Sequence, residues 1–375
     1  MPWAKKIHVM QGSSEYFDLY WEEGNLLNGE PALPPSGVGR LSEITLPQWL
    51  DNYLFKIRSS SYRPDPRKFS LNLDNDLEDQ LIYLGTYFPR SFAESYCVFD
   101  NLLRHSFFER LLRYKDKLRI YSLGCGCGGE VVGALQAMRD RAQYSGKIEV
   151  TGVDGNESAL EIFAQVLQRM GKRQSLSLSV DTKLQIMDDT WQGLDAAPDS
   201  GYDLIICSKL INELYATSAM QGSLYLRLAQ GLGHALAPEG VLYLADVSNA
   251  ISLNGRQVYV PVLLNYELQQ LSDQDDLVTI SPWCCRAGSA HCTGQNCYTQ
   301  LRVRAHHSQN RDILSKFCYR LLCRSEIAER VRPPVRYLRC NALINESALE
   351  RDLTGCCPSR VFDPEHKTVD AFNLV

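Results

Sequence analysis

Between Ile120 and Leu135 the chain reads IYSLGCGCGGEVVGAL, an apolar run, four glycines in six residues, and the start of an amphipathic stretch. A glycine turn between a strand and a helix lets a ligand approach the backbone closely, where side chains would block it. Acids then follow at strand ends. Asp154 closes IEVTGV and can accept hydrogen bonds from ribose hydroxyls, and Asp188 and Asp189 follow LQIM, where a carboxylate can meet an adenine edge. Ser208, Asn212 and Glu213 lie in SKLINELY after the next apolar run, in position to line the same site. Nucleotide-like binding is the chemistry this pattern suits. Glycines alone leave its class open, because Gly124, Gly126 and Gly129 also fit G-x-G-x-x-G with Asp154 as the later acid of a dinucleotide site.

A second group of reactive side chains sits far downstream. Cys284, Cys285, Cys292 and Cys297 fall within fourteen residues, with His291 among them. Thiolates this dense can ligate zinc or an iron–sulfur cluster, with Cys318, Cys323 or Cys340 as a fourth ligand; the spacing is neither paired C-x-x-C nor a ferredoxin run. The competing reading is a cysteine-rich loop without metal. Cys125, Cys127, Cys207 and Cys97 lie in apolar contexts and read as small buried hydrophobes. Glu130, opening the helix after the glycines, favours the positive end of the helix dipole.

Positioning these residues calls for strands alternating with helices. Apolar runs LRIYSL, IEVTGV, KLQIM, DLIIC and VLYLADV recur from Leu118 on, separated by helical stretches such as SALEIFAQVLQRM, which predicts a parallel sheet with helices on both faces. CYTQLRVRA and FCYRLLCR are two late strands able to pair antiparallel. The first third reads as helices and loops without alternating β pattern, the run from Asp76 to Lys117 being interrupted at Pro89. Three parts follow: a helical N-terminal region over 1–117, serving as lid or substrate-binding part, an α/β core over 118–323 with a cysteine-rich insertion at 283–297, and a C-terminal extension over 324–375.

Taken together, the segments from Leu118 to Val247 resemble the class I S-adenosylmethionine-dependent methyltransferases. The first motif of that family, acid-x-G-x-G-x-G, corresponds to SLGCGCG, the second-strand acid to Asp154, the third-strand acid to Asp188 or Asp189, and the fifth-strand entry to LAPEGVLYLAD. The resemblance implies a Rossmann-like methyltransferase sheet, S-adenosylmethionine as cofactor, and a donor site built from Ser122, Gly124, Gly126, Gly128, Asp154, Asp188, Asp189 and Ser208. One departure stands out: Ser122 occupies the place of the motif acid and cannot ion-pair with the aminoacyl ammonium. SPWC, Cys292 and NCYTQLRV also resemble, in their order, the methyltransferases associated with assembly of the small mitochondrial ribosomal subunit.

Composition bounds the function classes. The 375 residues carry a net charge of −5 with a pI near 5.9, which argues against a broad nucleic-acid surface, although RVRAHHSQNR and RVRPPVR are local basic patches. No apolar run is long enough to span a bilayer and the first residues lack the apolar core of a signal peptide, so a cytoplasmic protein with reduced thiols is expected. The expected activity is methyl transfer to an acceptor the sequence does not identify, with a small molecule favoured and nucleic acid not excluded. The alternatives are a methyltransferase-like scaffold without catalysis, as in RNP assembly, and a dinucleotide-dependent oxidoreductase.

Overall fold

The computed structural model describes residues 41–64, 77–187, 201–217, 220, 222–253, 256–268, 270–281 and 300–331, with three two-residue strands between 338 and 370. Asp188, Asp189, Cys284, Cys285, Cys292 and Cys297 lie outside the described residues.

The chain enters with strand β1 (Leu41–Thr45) and a short helix α1 (Gln48–Asp51) that runs into a π-helical turn over Asn52–Ile57. Helices α2 (Leu77–Thr86), α3 (Phe88–Leu102) and α4 (Ser106–Arg113) follow. Pro89 sits in the first turn of α3, where its missing N–H costs nothing, so the interruption in the helical run marks the start of a helix. The α/β part then runs β2 (Lys117–Leu123), α5 (Gly129–Ala142), β3 (Lys147–Asp154), α6 (Glu157–Gln174), β4 (Leu178–Leu184), β5 (Tyr202–Ser208), α7 (Ile211–Ala216), α8 (Leu224–Gly233) and β6 (Leu236–Val247). After the hairpin β7 (Ala250–Leu253) and β8 (Arg256–Tyr259) come α9 (Val260–Leu268), β9 (Val278–Ser281), β10 (Gln300–His307), β11 (Asn310–Cys323) and α10 (Ser325–Arg330).

The main sheet has the order β1-β10-β11-β6-β5-β2-β3-β4, with β9 added against β11. Every neighbour pair along this path is parallel except those of β11, which runs antiparallel to both β6 and β10. The chain leaves β2 toward β3 on one side and returns to β5 on the other, so the carboxyl end of β2 is a topological switch point, where open α/β sheets bind ligands. The dinucleotide order 3-2-1-4-5-6 ends on a parallel strand; here the last strand is inserted antiparallel between β6 and β10.

Alternate residues divide between two apolar layers, as the two-residue period of a strand requires. Leu118 and Ile120 of β2, with Val241 and Tyr243 of β6, join one core with α3, α5 and α6. Tyr121 and Leu123, with Leu242 and Leu244, join the other with α7, α8 and α9. Helices therefore cover both faces, and the fold is α/β, Rossmann-like.

Two features depart from the sequence reading. LSEIT, read as part of a helical region, forms edge strand β1, whose partners Arg302 to His306 are some 260 positions away, beyond the reach of any local pattern. The third strand occupies LSVDTKL, starting five positions before KLQIM and sharing only its first two residues. The first core also runs across the boundary at 117/118. Gly129 and Gly133, one turn apart on α5, admit α3 so closely that a Cβ at either would meet a carbonyl oxygen, of Phe88 at 2.7 Å and of Phe92 at 2.3 Å respectively.

Candidate functional site

The turn after β2 carries Gly124, Gly126 and Gly128 at φ of +62°, +45° and +87°, a left-handed backbone that costs side-chain-bearing residues about 1–2 kcal/mol each. Space adds a second reason at Gly128, where a Cβ would stand 2.6 Å from Cδ2 of Phe163. The turn is held from below. Gly128 N–H donates to the Cys125 carbonyl at 2.8 Å, and Cys125 N–H to that of Val153 at 3.1 Å.

Asp154, last residue of β3, fastens this turn to the next one. Its Oδ2 accepts from Gly126 N–H at 2.7 Å and its Oδ1 from Asn156 N–H at 2.9 Å. Each oxygen keeps an acceptor position for an incoming hydroxyl. Burial raises the Asp154 carboxyl above its usual range, and the backbone N–H groups of Gly126, Asn156 and Gly155 pull against that rise. Asn156 caps α6 through its side chain, which accepts from Ala159 N–H at 2.9 Å.

Above this floor lies a cleft whose lining brings together Gly124, Gly126, Asp154 and Ser208. Gln185, Ile186 and Met187 extend the wall beyond β4, immediately before Asp188. Ser122 is not in this wall. It is fully buried within β2, and its Oγ has no hydrogen-bond partner among the described residues. Asn212 turns away as well: its Nδ2 donates to Lys209 O at 2.8 Å and to Oδ1 of buried Asp246. Glu213, one position on, faces the cleft.

Three lining residues carry no signal in the sequence reading. Gln80 and Tyr83 come from α2, reaching over the glycine turn, with Tyr83 Oη 3.4 Å from where a Cβ of Gly126 would stand. Lys209 follows β5 with φ +61°, an uncommon conformation for lysine and one concentrated at functional sites. Its ammonium stands 2.5 Å from Oε2 of Glu94 in α3 and 3.2 Å from Ser91 Oγ. Glu94 is 1% exposed and also accepts from Ser315 Oγ of β11. The αL turn at Lys209 and the chance of a tertiary partner in α3 leave no mark on local periodicity.

Glu130 differs from its expected part. It is 6% exposed, and burial pushes its carboxyl up to about 8, opposed by its own backbone hydrogen bond and by Lys209, so near neutrality it is largely uncharged and complements the helix dipole weakly. Cys125, Cys127 and Cys207 are buried thiols raised by burial, as packing residues should be. Among the described residues no cluster of three or more His, Cys, Asp or Glu can hold a metal, and no helix is long and apolar enough to cross a membrane.

No protein-family model and no curated protein matches this chain. Solved structures similar to it include a SAM-dependent methyltransferase from Methanosarcina mazei, at 13% identity and a TM-score of 0.32, covering 56% of this chain and 93% of that one. The plantazolicin methyltransferase BpumL in complex with SAH is similar at 18% identity and a TM-score of 0.27, covering 53% of this chain and 57% of its own. An arsenic(III) S-adenosylmethionine methyltransferase from Chlamydomonas reinhardtii stands at 19% identity and a TM-score of 0.27, covering 55% of this chain and 62% of that one. This chain thus spans little more than half the length of the BpumL and arsenic enzymes. With scores of this size, what the site can do has to be read from the site.

Behind the cleft a buried polar network fixes α7. Asp246 Oδ2 accepts from Asn212 N–H at 3.0 Å and from Tyr225 Oη at 2.7 Å, and its Oδ1 from Val247 N–H at 2.7 Å. Glu267 accepts from Tyr225 N–H at 2.7 Å and pairs with the hydroxyl of Tyr215. Burial raises Asp246 to about 6 and Glu267 to about 7, the hydrogen bonds opposing the rise in each.

Proposed function

We propose that this chain is an S-adenosylmethionine-dependent methyltransferase. The charge of the cleft carries the reading. Its ionisable lining residues among those described are Asp154, Glu213, Tyr83 and Lys209, and the lysine is already ion-paired with buried Glu94. A dinucleotide would bring its pyrophosphate, with two negative charges, against Asp154, and the one basic residue of the described lining, Lys209, is already paired with Glu94. A nucleoside ligand with positive charge and no phosphate suits the same wall. The antiparallel insertion of β11 supports the same choice over the dinucleotide fold.

The residues present fit such a donor. Gly126 keeps the backbone bare beneath the Tyr83 hydroxyl, and Asp154 has acceptor positions for ribose hydroxyls. When bound, the donor supplies a methyl group on a sulfonium sulfur. Gly124 and Gly126 let it approach the backbone, Asp154 holds the ribose, Ser208 offers a hydroxyl at the end of β5, and Ile186 and Met187 give apolar surface. Asp188 and Asp189 remain proposed for the adenine edge. The contribution of the chain is alignment, with Gln80 and Tyr83 of α2 completing the wall of the cleft. The net charge of −5 favours a small-molecule acceptor over nucleic acid, and a cytoplasmic setting goes with that reading.

Incubation with methyl-labelled donor and cell extract, fractionated into small molecules, protein and RNA, tests the activity. Label in the small-molecule fraction is expected, and label in RNA or protein would reassign the acceptor. No transfer by protein that binds the donor would support a scaffold in place of an enzyme.

A further inference from the structure

Glu213 stands on α7, one turn after Leu210, whose Cβ lies 3.0 Å from where a Cβ of Gly124 would be. It therefore overlooks the first glycine of the turn, in a wall shared with Gly126 and Asp154. Its backbone is committed, with the N–H donating to Leu210 O at 3.1 Å and the carbonyl accepting from Thr217 N–H at 2.9 Å. Its carboxyl makes no hydrogen bond or ion pair among the described residues. The charged and titratable groups facing it are Tyr83 from α2, Asp154 from β3, Asp246 from β6 and Lys209 from the turn after β5. Burial first, then the charges of Asp246 and Asp154, raises the carboxyl to about 8, with Lys209 opposing. A half-buried carboxyl with no hydrogen-bond partner and with acids around it gains most from a cation, since an opposite charge stabilises its ionised form.

The expected owner of that task, the motif residue at 122, is a serine sealed inside the sheet. We propose that Glu213 is the counter-ion of the donor, its carboxylate receiving a positive centre of the bound sulfonium compound in place of an acid at position 122. This rests on the donor-binding reading above. The donor has two such centres, the sulfonium and the α-ammonium, and the demethylated product keeps only the ammonium. Because Glu213 is protonated in the free cleft near neutrality, its pairing with a cation drives a proton into solution.

The test is isothermal titration of the full chain with S-adenosylmethionine and S-adenosylhomocysteine at pH 7, in phosphate and in Tris, for wild type, Glu213→Gln and Glu213→Asp. The wild type is expected to release a proton on binding, read from the difference in heat between buffers. Glu213→Gln is expected to bind on the order of 10- to 100-fold more weakly and to release none, as loss of one charge-assisted contact implies, with Glu213→Asp recovering part of both. Equal loss for both ligands assigns the ammonium, and loss confined to the sulfonium compound assigns the sulfonium. Unchanged affinity and proton release in folded Glu213→Gln would overturn the role of Glu213. Wild-type protein that binds neither ligand would instead overturn the donor-binding reading itself.

Discussion

Lys209, in the wall of the cleft, is ion-paired at 2.5 Å with Glu94, a buried carboxylate of α3. The pair ties the turn after β5 to the N-terminal helices and leaves the cleft wall acidic. Removing one partner of a buried pair strands the other charge. Lys209→Met is expected to cost about 3 kcal/mol of stability, and the double variant Lys209→Met/Glu94→Gln to recover most of it. Urea unfolding of the four proteins of this cycle reads both values, and a double variant no better than the single would contradict the pairing.

The glycine turn makes separable predictions. Gly128→Ala must place a Cβ against Phe163 in a left-handed backbone and is expected to lose roughly 2–5 kcal/mol, seen as a lowered urea midpoint. Gly126→Ala, whose Cβ meets Tyr83 Oη at 3.4 Å, is expected to lose about 1–2 kcal/mol and to remain folded while donor binding fails. Normal binding by folded Gly126→Ala would show that the ligand lies elsewhere.

Buried acids set the pH dependence. Burial raises Glu130 and Glu213 to about 8, Glu267 to about 7 and Asp246 to about 6. Unfolded, these groups titrate near 4, so between those limits the native state binds more protons than the unfolded one. Stability therefore falls as pH rises through this window. Unfolding free energy is expected to be a few kcal/mol greater at pH 5.5 than at pH 8.5, and Glu130→Gln to flatten the slope. Stability that rises steadily to pH 8.5 would contradict this.

Asn212 and Glu213 are neighbours with different fates. Asn212 satisfies Asp246, so Asn212→Ala is expected to lower stability by about 1–3 kcal/mol, whereas Glu213→Gln relieves an enclosed carboxyl and is expected to leave stability equal or higher. Thermal unfolding of the two variants at pH 7 separates them, and a reversed order would contradict the placement of α7.

What could be read from the sequence was whatever repeats locally. Apolar runs gave the strands except the third, the glycines their turn, Asp154 its strand end, and CYTQLRVRA with FCYRLLCR the antiparallel pair now seen as β10 and β11. Residues joined across long distances were not legible. LSEIT is a strand because β10 offers it an edge, and Glu94 is buried because Lys209 meets it. Gln80 and Tyr83 reach the cleft through the packing of α2, and their helical spacing points equally to core. Ser122 showed the opposite limit: its motif position was plain, while its burial within the helix-covered sheet was not. Asp188, Asp189 and the four clustered cysteines fall outside the described residues.

That the cleft between Gly124, Asp154 and Glu213 holds a cationic methyl donor can be checked by titrating the full chain with S-adenosylmethionine, S-adenosylhomocysteine and NAD, beside Asp154→Ala as control. Saturable binding of the sulfur ligands, absent for NAD and lost in folded Asp154→Ala, is the predicted result. Binding of NAD with no response to either sulfur ligand would contradict it.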